Sequence, residues 1–516
     1  MKYILAYDLG TGGIKTSLFS QEGHSVAYCF EAYDTYFPTH GFREQRPEEW
    51  WNAAVCTTKQ VLQTTGIDKQ DIVALAVSGH SLGVVPIGKN GALLAESVPL
   101  WNDARATREA CSFFERVSQE EWYLSTGNGF PAELYSVFKI LWYKNNMPEL
   151  YQQTDKFIGT KDYINYRLTG VLCTDHSYAS GSGVYSLEHF CYNEKYIASS
   201  GIDRDKLPEI LQSTAVIGTV LPEVAKELGL SVETKVCCGG VDNACMALGA
   251  GCIGEGDVYT SLGTSAWIAV SSSKPVVDVQ KKPYVFAHCV EGMFVSATAI
   301  FSAGNSLRWV RDRLFADFLE KELQGDTDSY VKIDTMAQTS PLGANGLFFL
   351  PTLAGGSALD RSPNARGGLV GLDLMHTRED ICRACLEGIA LNLRLALDVL
   401  KRYCAIGDSM LLVGGGAKSP VWRDIFAQVY NMPVVTGKIT QDAGSFGAAV
   451  IAAVGSGLWE DLSKVKQLCA PQTKTETNKA EADCYQRLLS VYERILDMQS
   501  DIGDMINEYR KGNEHE

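Results

Sequence analysis

One short pattern occurs twice in this chain, and the two copies limit its fold more than any other feature. Residues 3–19 read as strand, glycine-rich turn and strand, and residues 258–270 read the same way. The turns share Leu9-Gly10-Thr11 and Leu262-Gly263-Thr264, which are 253 residues apart. The tripeptide by itself is common enough to recur by chance. Its return inside the same strand context favours a duplicated architecture with a boundary near residues 251–256.

The first turn matches neither common nucleotide-binding loop. Lys15 occupies the place of the third glycine in G-x-G-x-x-G, and Ile14 occupies the place of the glycine that precedes the Walker lysine. Both motifs also require a helix after the loop, whereas a strand follows here. A hairpin turn with Gly10, Thr11 and Gly12 instead presents backbone N–H groups, which bind an anion without formal charge.

Asp8 ends the strand that leads into this turn. A carboxylate at that position can hold a Mg²⁺ ion that bridges phosphates, directly or through water. The alternative is an ordinary tight turn capped by Asp8, and for a single hairpin that interpretation is the better one. The second copy reverses the preference, so the sequence predicts a phosphate site with Asp8 beside the metal.

Two more glycine turns each follow a strand and precede a helix. Gly414-Gly415-Gly416-Ala417-Lys418-Ser419 lies between a strand at 410–413 and a helix at 421–429. It either binds a flat or phosphate-bearing ligand or is a plain tight turn, and the pattern favours neither. Asp242 lies where a buried strand meets a helix at 243–250. It either caps that helix or accepts a proton from a substrate hydroxyl.

Gly79-His80-Ser81-Leu82-Gly83 belongs to a different class of motif, because it matches the G-x-S-x-G nucleophile elbow of hydrolases. An elbow passes directly into a helix, but residues 84–91 read as a strand and a turn. A serine hydrolase that uses Ser81 is therefore the weaker alternative.

Charge and cysteine content exclude several functions. The 46 Lys and Arg against 61 Asp and Glu give a net charge of −15, so nucleic acid and anionic membrane are not expected partners. The N-terminus lacks signal-peptide features, and the apolar stretch 443–458 is too short for a membrane span and reads as a buried helix. Fifteen cysteines without framework spacing then favour reduced thiols in a cytoplasm. Cys382 and Cys385 lie in an amphipathic helical pattern and are expected as core thiols, not metal ligands.

In this order and at these separations, the motifs resemble the FGGY carbohydrate kinases, and most closely the xylulose kinases among them. The resemblance runs from Tyr3 to Leu458 and is carried by residues 8–11, 78–80, 100–105, 240–243, 261–265 and 414–419. It implies an α/β fold of two ribonuclease-H-like domains, as in actin-like and hexokinase-like ATPases, with an active-site cleft between them. The expected segments are a sugar domain at 1–250, a nucleotide domain at 251–458 and a helical extension at 459–516.

The resemblance also implies roles for single residues. Asp242 is the expected general base, and Asp8 is the expected residue at Mg²⁺. The side chains expected around the sugar are His80, Ser81, Trp101, Asp103, Asp242 and Asn243. The residues expected around ATP are Gly10, Thr11, Gly12, Lys15, Gly263, Thr264, Gly415, Gly416, Ala417 and Ser419.

Two segments depart from the family pattern. The xylulose kinases usually read Ser-Gly-Gln-Met-His-Gly where this chain reads Ser78-Gly79-His80-Ser81-Leu82-Gly83, so a histidine stands two places early. This loop touches the sugar in the family, and the change therefore bears on substrate identity. Residues 350–357 lack the usual Gly-Glu-Arg run, for which Asp360-Arg361-Ser362-Pro363 offers a substitute after a short insertion.

The expected reaction is ATP-dependent phosphorylation of a ketopentose, D-xylulose to D-xylulose 5-phosphate, by a cytoplasmic enzyme for which the family suggests a homodimer. The alternatives are kinases for another sugar or polyol, such as ribulose, fuculose, gluconate, glycerol or erythritol. A non-enzymatic, nucleotide-dependent module of the actin-like class is a third hypothesis, which the Asp242-Asn243 segment disfavours.

Overall fold

The computed structural model describes residues 1–438 and 442–513, which form two compact units that are discontinuous in sequence. The first unit contains Met1–Gly254, Ser271–Ser296 and Asp442–Cys469, and the second contains the other described residues. The sequence predicts contiguous domains instead, with boundaries at residues 250 and 458. This division differs from that of the two compact units, and it stays a prediction. Residues 439–441 and 514–516 of those domains lie outside the described residues.

The strands are short outside the two large sheets. In chain order they are β1 Tyr3–Gly10, β2 Gly13–Ser20, β3 Ser25–Ala32, β4 Glu44–Gln45, β5 Ile72–Gly79, β6 Val85–Gly88, β7 Val98–Pro99, β8 Thr154–Ile158, β9 Cys173–Asp175, β10 Tyr185–Ser186, β11 Cys191–Tyr192, β12 Glu209–Leu211, β13 Val216–Thr219, β14 Lys235–Cys237, β15 Gly240–Val241, β16 Val258–Leu262, β17 Ala266–Ser272, β18 Tyr284–Ala287, β19 Phe294–Ile300, β20 Phe348–Leu350, β21 Gly368–Val370, β22 Met410–Val413, β23 Val434–Thr436 and β24 Thr473–Thr475.

The α-helices vary from one turn to ten turns. In chain order they are α1 Pro47–Thr65, α2 Thr107–Phe114, α3 Gln119–Thr126, α4 Ser136–Asn146, α5 Pro148–Gln153, α6 Thr160–Thr169, α7 His176–Ala179, α8 Glu194–Ser200, α9 Pro222–Leu228, α10 Asp242–Gly249, α11 Gly304–Leu314, α12 Ala316–Leu323, α13 Ser329–Thr339, α14 Arg378–Lys401, α15 Pro420–Tyr430, α16 Ala443–Gly455, α17 Lys464–Leu468 and α18 Lys479–Asn513.

The large sheet of the first unit has the strand order β13-β14-β5-β1-β2-β3, with β15 paired to the end of β5. Strand β1 pairs antiparallel with β2 and parallel with β5. Alternate side chains point to opposite faces, and helices cover both. On one face the Thr16 hydroxyl is 2.6 Å from that of Thr57 in α1, and on the other Phe19 packs on Phe446 of α16. This burial on both faces accounts for the nearly continuous apolar sequence of β1 and β5.

Helices α10 and α16 of the first unit cross at glycines. A Cβ atom added to Gly447 would lie 1.9 Å from the carbonyl oxygen of Cys245, and one added to Gly249 would lie 1.9 Å from that of Ala443. Only glycine allows two backbones to approach this closely. The small-residue stretch that begins at residue 443 is therefore a buried helix, as predicted.

The second unit repeats the arrangement at the start of the first. Strand β16 pairs antiparallel with β17 and parallel with β22, as β1 pairs with β2 and β5. The sheet continues from β22 to β23 and β24. This shared topology confirms the two-domain, duplicated α/β fold that the repeated Leu-Gly-Thr pattern predicted.

One helix is shorter than its sequence pattern suggests. Residues 104–118 have a helical pattern, but α2 covers Thr107–Phe114 only. The Asp103 carboxylate accepts the backbone N–H of Arg105 at 3.0 Å, which holds the chain in a turn before the helix begins.

Candidate active site

Three predicted site residues lie at one edge of the first sheet. In the parallel pairing of β1 with β5, Asp8 is opposite Ser78 and Leu9 is opposite Gly79. In the pairing of β15 with β5, Val241 is opposite Gly79. The next residues along the chain, His80 and Asp242, therefore emerge at the same edge as Asp8. Ligands of α/β proteins bind at this carboxyl edge of the strands.

The carboxylate of Asp242 has the surroundings of a general base. Burial raises its pKa to about 7, and the charge of Asp8 adds to the rise, while the backbone N–H of Asn243 opposes it with a 2.8 Å hydrogen bond to Oδ1. Asp242 is the first residue of α10, and the capping position belongs to Val241. Its carboxylate accepts one N–H of the first turn of α10, that of Asn243, so it also helps to hold the helix end.

Asp8 lies beside the N-terminus of α16. Its Oδ1 accepts a hydrogen bond from the Ser78 hydroxyl at 2.9 Å, and a Cβ atom at Gly444 would lie 2.9 Å from Oδ2. Burial raises the pKa of Asp8, whereas Ser78 and the charge of Lys15 lower it. Lys15 is itself ion-paired with Asp442 at the start of α16. A buried carboxylate in this position has the oxygen chemistry that Mg²⁺ prefers.

The turn of the first hairpin is held from outside by side chains. The Tyr33 hydroxyl donates to the carbonyl oxygen of Gly10 at 2.5 Å, and the Gln45 amide donates to that of Thr11 at 2.7 Å. The Trp101 indole N–H donates to the Thr11 hydroxyl at 3.1 Å. These bonds engage the outward-facing groups of the turn and fix its backbone. Trp101, expected near the sugar, is thereby linked to the hairpin.

Asp103 is fully buried, and both of its oxygens have protein partners. The guanidinium of Arg105 donates to both oxygens at 2.8 Å, and the backbone N–H of Arg43 donates to Oδ2 at 2.6 Å. This arrangement favours an indirect role, in which Asp103 shapes the loop that carries Trp101. Direct contact of Asp103 with a sugar stays a prediction.

His80, at the same edge of the first sheet, is unusual because its buried side chain lacks hydrogen-bond partners within the described part of the chain. Its side chain is 2% exposed, and neither ring nitrogen has a hydrogen-bond partner among the described residues. Burial lowers its pKa to about 3, with a contribution from the charge of Lys139, so the imidazole is neutral. The neighbouring Ser81 is also buried and is followed by strand β6, not by the helix that a nucleophile elbow requires.

The second unit contains a cavity of about 820 Å³, within the size range of small-molecule sites. Its walls come from the turn of the second hairpin, the start of α11, helix α13 and the segment between β22 and α15. The predicted ATP residues in these walls are Gly263, Thr264, Gly415, Gly416 and Ser419. The predicted ATP residue Ala417 is buried and is not among the lining residues. Because Ser419 caps α15 through its bond to the Trp422 N–H, the glycine turn and the helix form one wall.

The second hairpin is attached to the start of α11. The backbone N–H of Gly304 donates to the carbonyl oxygen of Gly263, and that of Asn305 donates to the carbonyl oxygen of Thr264, both at 3.0 Å. A Cβ atom at Gly304 would lie 2.4 Å from the Gly263 oxygen. The turn is therefore packed against the N-terminus of α11, and the first N–H groups of that helix hold the turn in place.

The cavity also contains residues that sequence reasoning missed. Arg308 lies on α11, and Tyr330, Asp334 and Gln338 lie on α13. Burial raises the pKa of Asp334, while the Ser419 hydroxyl lowers it. These side chains belong to ordinary amphipathic helices, and no local motif marks them.

The remaining polar groups do not suggest another metal centre. Among the described residues, no group of three or more His, Cys, Asp or Glu side chains is placed to hold a metal ion. All fifteen cysteines are free thiols, and Cys382 and Cys385 are buried in α14. No helix within the described ranges has the length and apolar character needed to cross a membrane.

Comparison with known proteins agrees with this geometry. The model of the FGGY family of carbohydrate kinases, N-terminal domain, matches residues 3–249, and that of the C-terminal domain matches residues 258–456. A xylulose kinase of Bacillus subtilis is 31% identical over 99% of this chain and 100% of its own length. A gluconokinase of the same organism is 27% identical over 99% of this chain and 98% of its own.

Solved structures include a ligand-bound xylulose kinase from Lactobacillus acidophilus. It superposes with a TM-score of 0.87 at 29% identity and covers 96% of this chain and 98% of its own. The family models, the full-length relatives and the repeated hairpins lead to one conclusion. The chain belongs to the FGGY family of carbohydrate kinases.

Proposed function

We propose that this carbohydrate kinase transfers the γ-phosphoryl group of ATP to a hydroxyl of D-xylulose and forms D-xylulose 5-phosphate. The observation that carries the proposal is the edge of the first sheet, where a carboxylate of raised pKa, Asp242, lies beside Asp8 and His80. The names of the relatives support xylulose as the sugar. The cavity with Gly263, Thr264 and Gly415 in the second unit supports a nucleotide as the other substrate.

In the proposed reaction, Asp242 accepts the proton of the sugar hydroxyl as its oxygen attacks the γ-phosphorus in line. The new O–P bond forms while the bond from the γ-phosphorus to the bridging oxygen breaks, and ADP leaves. A base with a pKa of about 7 is about half ionised in neutral solution and still basic enough to take a proton in the transition state.

The residues of the first hairpin are proposed to hold the phosphate end of the nucleotide. Gly10, Thr11 and Gly12 offer backbone N–H groups, and Lys15 offers an ammonium group close to Asp8. Asp8 is proposed to hold a Mg²⁺ ion, which when bound neutralises charge on the phosphates. Backbone groups and one metal explain how a chain with a charge of −15 can bind a polyphosphate.

The sugar side is proposed to involve His80, Asn243 and the loop with Trp101. A neutral imidazole offers one donor and one acceptor to sugar hydroxyls. The unpartnered nitrogens of His80 support this role, because a buried polar group normally has a partner. The sugar contact of Ser81 stays a prediction.

A coupled ADP-release assay against xylulose, ribulose, fuculose, rhamnulose, gluconate, glycerol and erythritol tests the proposal. We expect the highest kcat/KM with D-xylulose. The Asp242→Ala variant should lose at least about 10³-fold in kcat but bind ATP with nearly unchanged affinity. The isosteric Asp242→Asn variant serves as the control for shape and should be equally inactive. If another acceptor has the highest kcat/KM, that acceptor replaces D-xylulose as the proposed substrate. Wild-type rates in either Asp242 variant would refute the role of Asp242.

We also propose a cytoplasmic enzyme, because fifteen free thiols suit a reducing compartment.

A homodimer is supported by helix α18. Its exposed apolar residues recur at heptad spacing, and we call this set the α18 stripe: Val491, Met498, Ile502, Met505 and Tyr509. Such a stripe is typical of helices that pair with a second helix.

A further inference from the structure

Lys139 is a fully buried lysine of α4 whose function is not explained by packing. Its ammonium group donates to the carbonyl oxygen of Leu82 at 3.1 Å and to that of Leu100 at 2.5 Å. Leu82 belongs to the loop after β5, which carries His80, and Leu100 begins the loop after β7, which carries Trp101. One side chain thus joins the two loops that are proposed to contact the sugar.

The loop after β5 needs such an anchor, because its conformation is unfavourable. Leu82 has φ = 62°, a left-handed value that costs energy for a residue with a branched side chain. Other donors hold its neighbours: the Thr160 hydroxyl bonds to the carbonyl of His80 at 2.7 Å, and the Tyr178 hydroxyl bonds to that of Gly83 at 3.0 Å. The carbonyl of Leu82 depends on Lys139. The amine of Lys139 offers N–H donors to this carbonyl in both its charged and its neutral form.

We propose that Lys139 is a positioning residue for the sugar, which ties the loop at 80–83 to the loop at 100–103 and so sets the shape of the acceptor pocket. The inference rests on the proposed function, since the sugar is its readout. Burial lowers the pKa of Lys139 to about 7, with the charge of Asp103 opposing the drop and that of Arg105 adding to it. Lys139 in turn acts on His80, whose neutral state it favours.

The test compares two buried lysines of the first unit. Lys206 is also buried and donates to one backbone carbonyl, that of Thr154 at 2.6 Å, at the end of β8 that pairs with Gly88 and not with either loop. We expect Lys139→Met to raise the KM for the sugar roughly tenfold, the size of one buried hydrogen bond, with kcat changed less than about threefold. Lys206→Met should leave the sugar KM within about twofold. Lys139→Gln replaces Lys139→Met if the latter does not fold.

Hydrogen exchange provides a readout that does not need activity. The amides of Gly83 and Asp103 donate within the two loops, to Ser81 and Leu100, and those of His80 and Leu100 donate to the carbonyls of Leu9 and Arg43 outside them. In Lys139→Met they should exchange at least about tenfold faster than in Lys206→Met. Equal sugar KM values and equal exchange in the two variants would overturn the inference. If the wild-type protein phosphorylates no sugar, the proposed function fails, and the exchange rates alone then decide whether Lys139 holds the loops.

Discussion

Burial and the nearby carboxylate of Asp8 raise the pKa of Asp242 to about 7. A general base works only in its ionised form, so the protonated fraction of Asp242 is inactive. We therefore expect kcat/KM for the sugar to rise tenfold per pH unit below about pH 7 and to level off above it. A pH–rate profile measured at saturating ATP checks this expectation. A profile that is flat between pH 5.5 and 8 would contradict it.

The same shift predicts an effect on stability. Between the ordinary value of 3.8 and about 7, the folded protein keeps a proton on Asp242 that the unfolded chain releases. The contribution of Asp242 to the free energy of unfolding therefore falls as pH rises through this window. Asp242→Asn should be more stable than the wild type at pH 8 by about 1–3 kcal/mol, and the difference should shrink near pH 4. Urea unfolding at the two pH values measures it.

Site residues could be predicted where a local pattern marks them, but not where their partners are distant in the chain. Asp8 and Asp242 were found because each lies beside a recognisable turn, Asp8 near the end of β1 and Asp242 directly after β15, which is local information. The partners of Asp103 and Trp101 lie about 60 and 90 positions away, at Arg43 and Thr11, and no pattern connects them. Arg308 and Asp334 face the cavity from amphipathic helices, where polar residues normally face solvent.

At the scale of elements, the contact between α10 and α16 makes the sharpest prediction. Gly447→Ala places a methyl group against the Cys245 carbonyl, so one of the two helices must shift. We expect a loss of about 1–3 kcal/mol in the free energy of unfolding. Because α10 begins with Asp242, kcat should fall as well.

Gly368→Ala is the matched control, since no other atom lies within 4 Å of the added methyl group. Urea unfolding and the ADP-release assay are run on both variants. If the Gly447→Ala and Gly368→Ala variants have equal stability and equal kcat, the close approach of α10 and α16 is not required for either property.

Elements governed by local sequence were predicted well. The two hairpins, the strand after Gly83 and the helix over 443–455 follow from turn residues and from runs of apolar side chains. Helix α2 was predicted too long because the Asp103 carboxylate stabilises a turn at Arg105. That competition depends on a side chain buried by tertiary structure, which a helical pattern does not reveal.

At the scale of the whole molecule, the α18 stripe predicts self-association. In an antiparallel pair of α18 helices centred on residue 501, Arg494 of one copy would lie opposite Glu508 of the other, which would give the pairing complementary charge. Sedimentation velocity should therefore show a species of twice the chain mass of 56.4 kDa. The double variant Met498→Glu, Met505→Glu should sediment as a monomer, because it buries like charges in the stripe.

Leu374→Glu is the control, since Leu374 is fully exposed but lies outside α18. It should remain a dimer. A monomeric wild type, or a double variant that still dimerises, would remove the α18 stripe as the interface.

The sequence did not indicate which segments of the chain make up each of the two units. Residues 442–469 come after most of the second unit but pack in the first, where α16 contacts β1 and β5. An apolar helix indicates that it is buried, not which sheet it covers. The residues of α16 that fit it closely against α10 are glycines. Because glycine has no side chain, these positions leave no periodic signal in the sequence that would show which unit the helix joins.

The glycine contact between α10 and α16 has a consequence for recombination. The helix that carries Asp242, the proposed base, and the helix packed against it are separated by nearly two hundred residues, yet each is shaped to the other's backbone. A chimaera made with a single crossover between residues 255 and 438 would inherit the two helices from different parents. Crossovers in pairs, which return 442–469 to the parent of 1–254, keep them together. Shuffled libraries of this family should therefore be enriched, among active clones, in double exchanges.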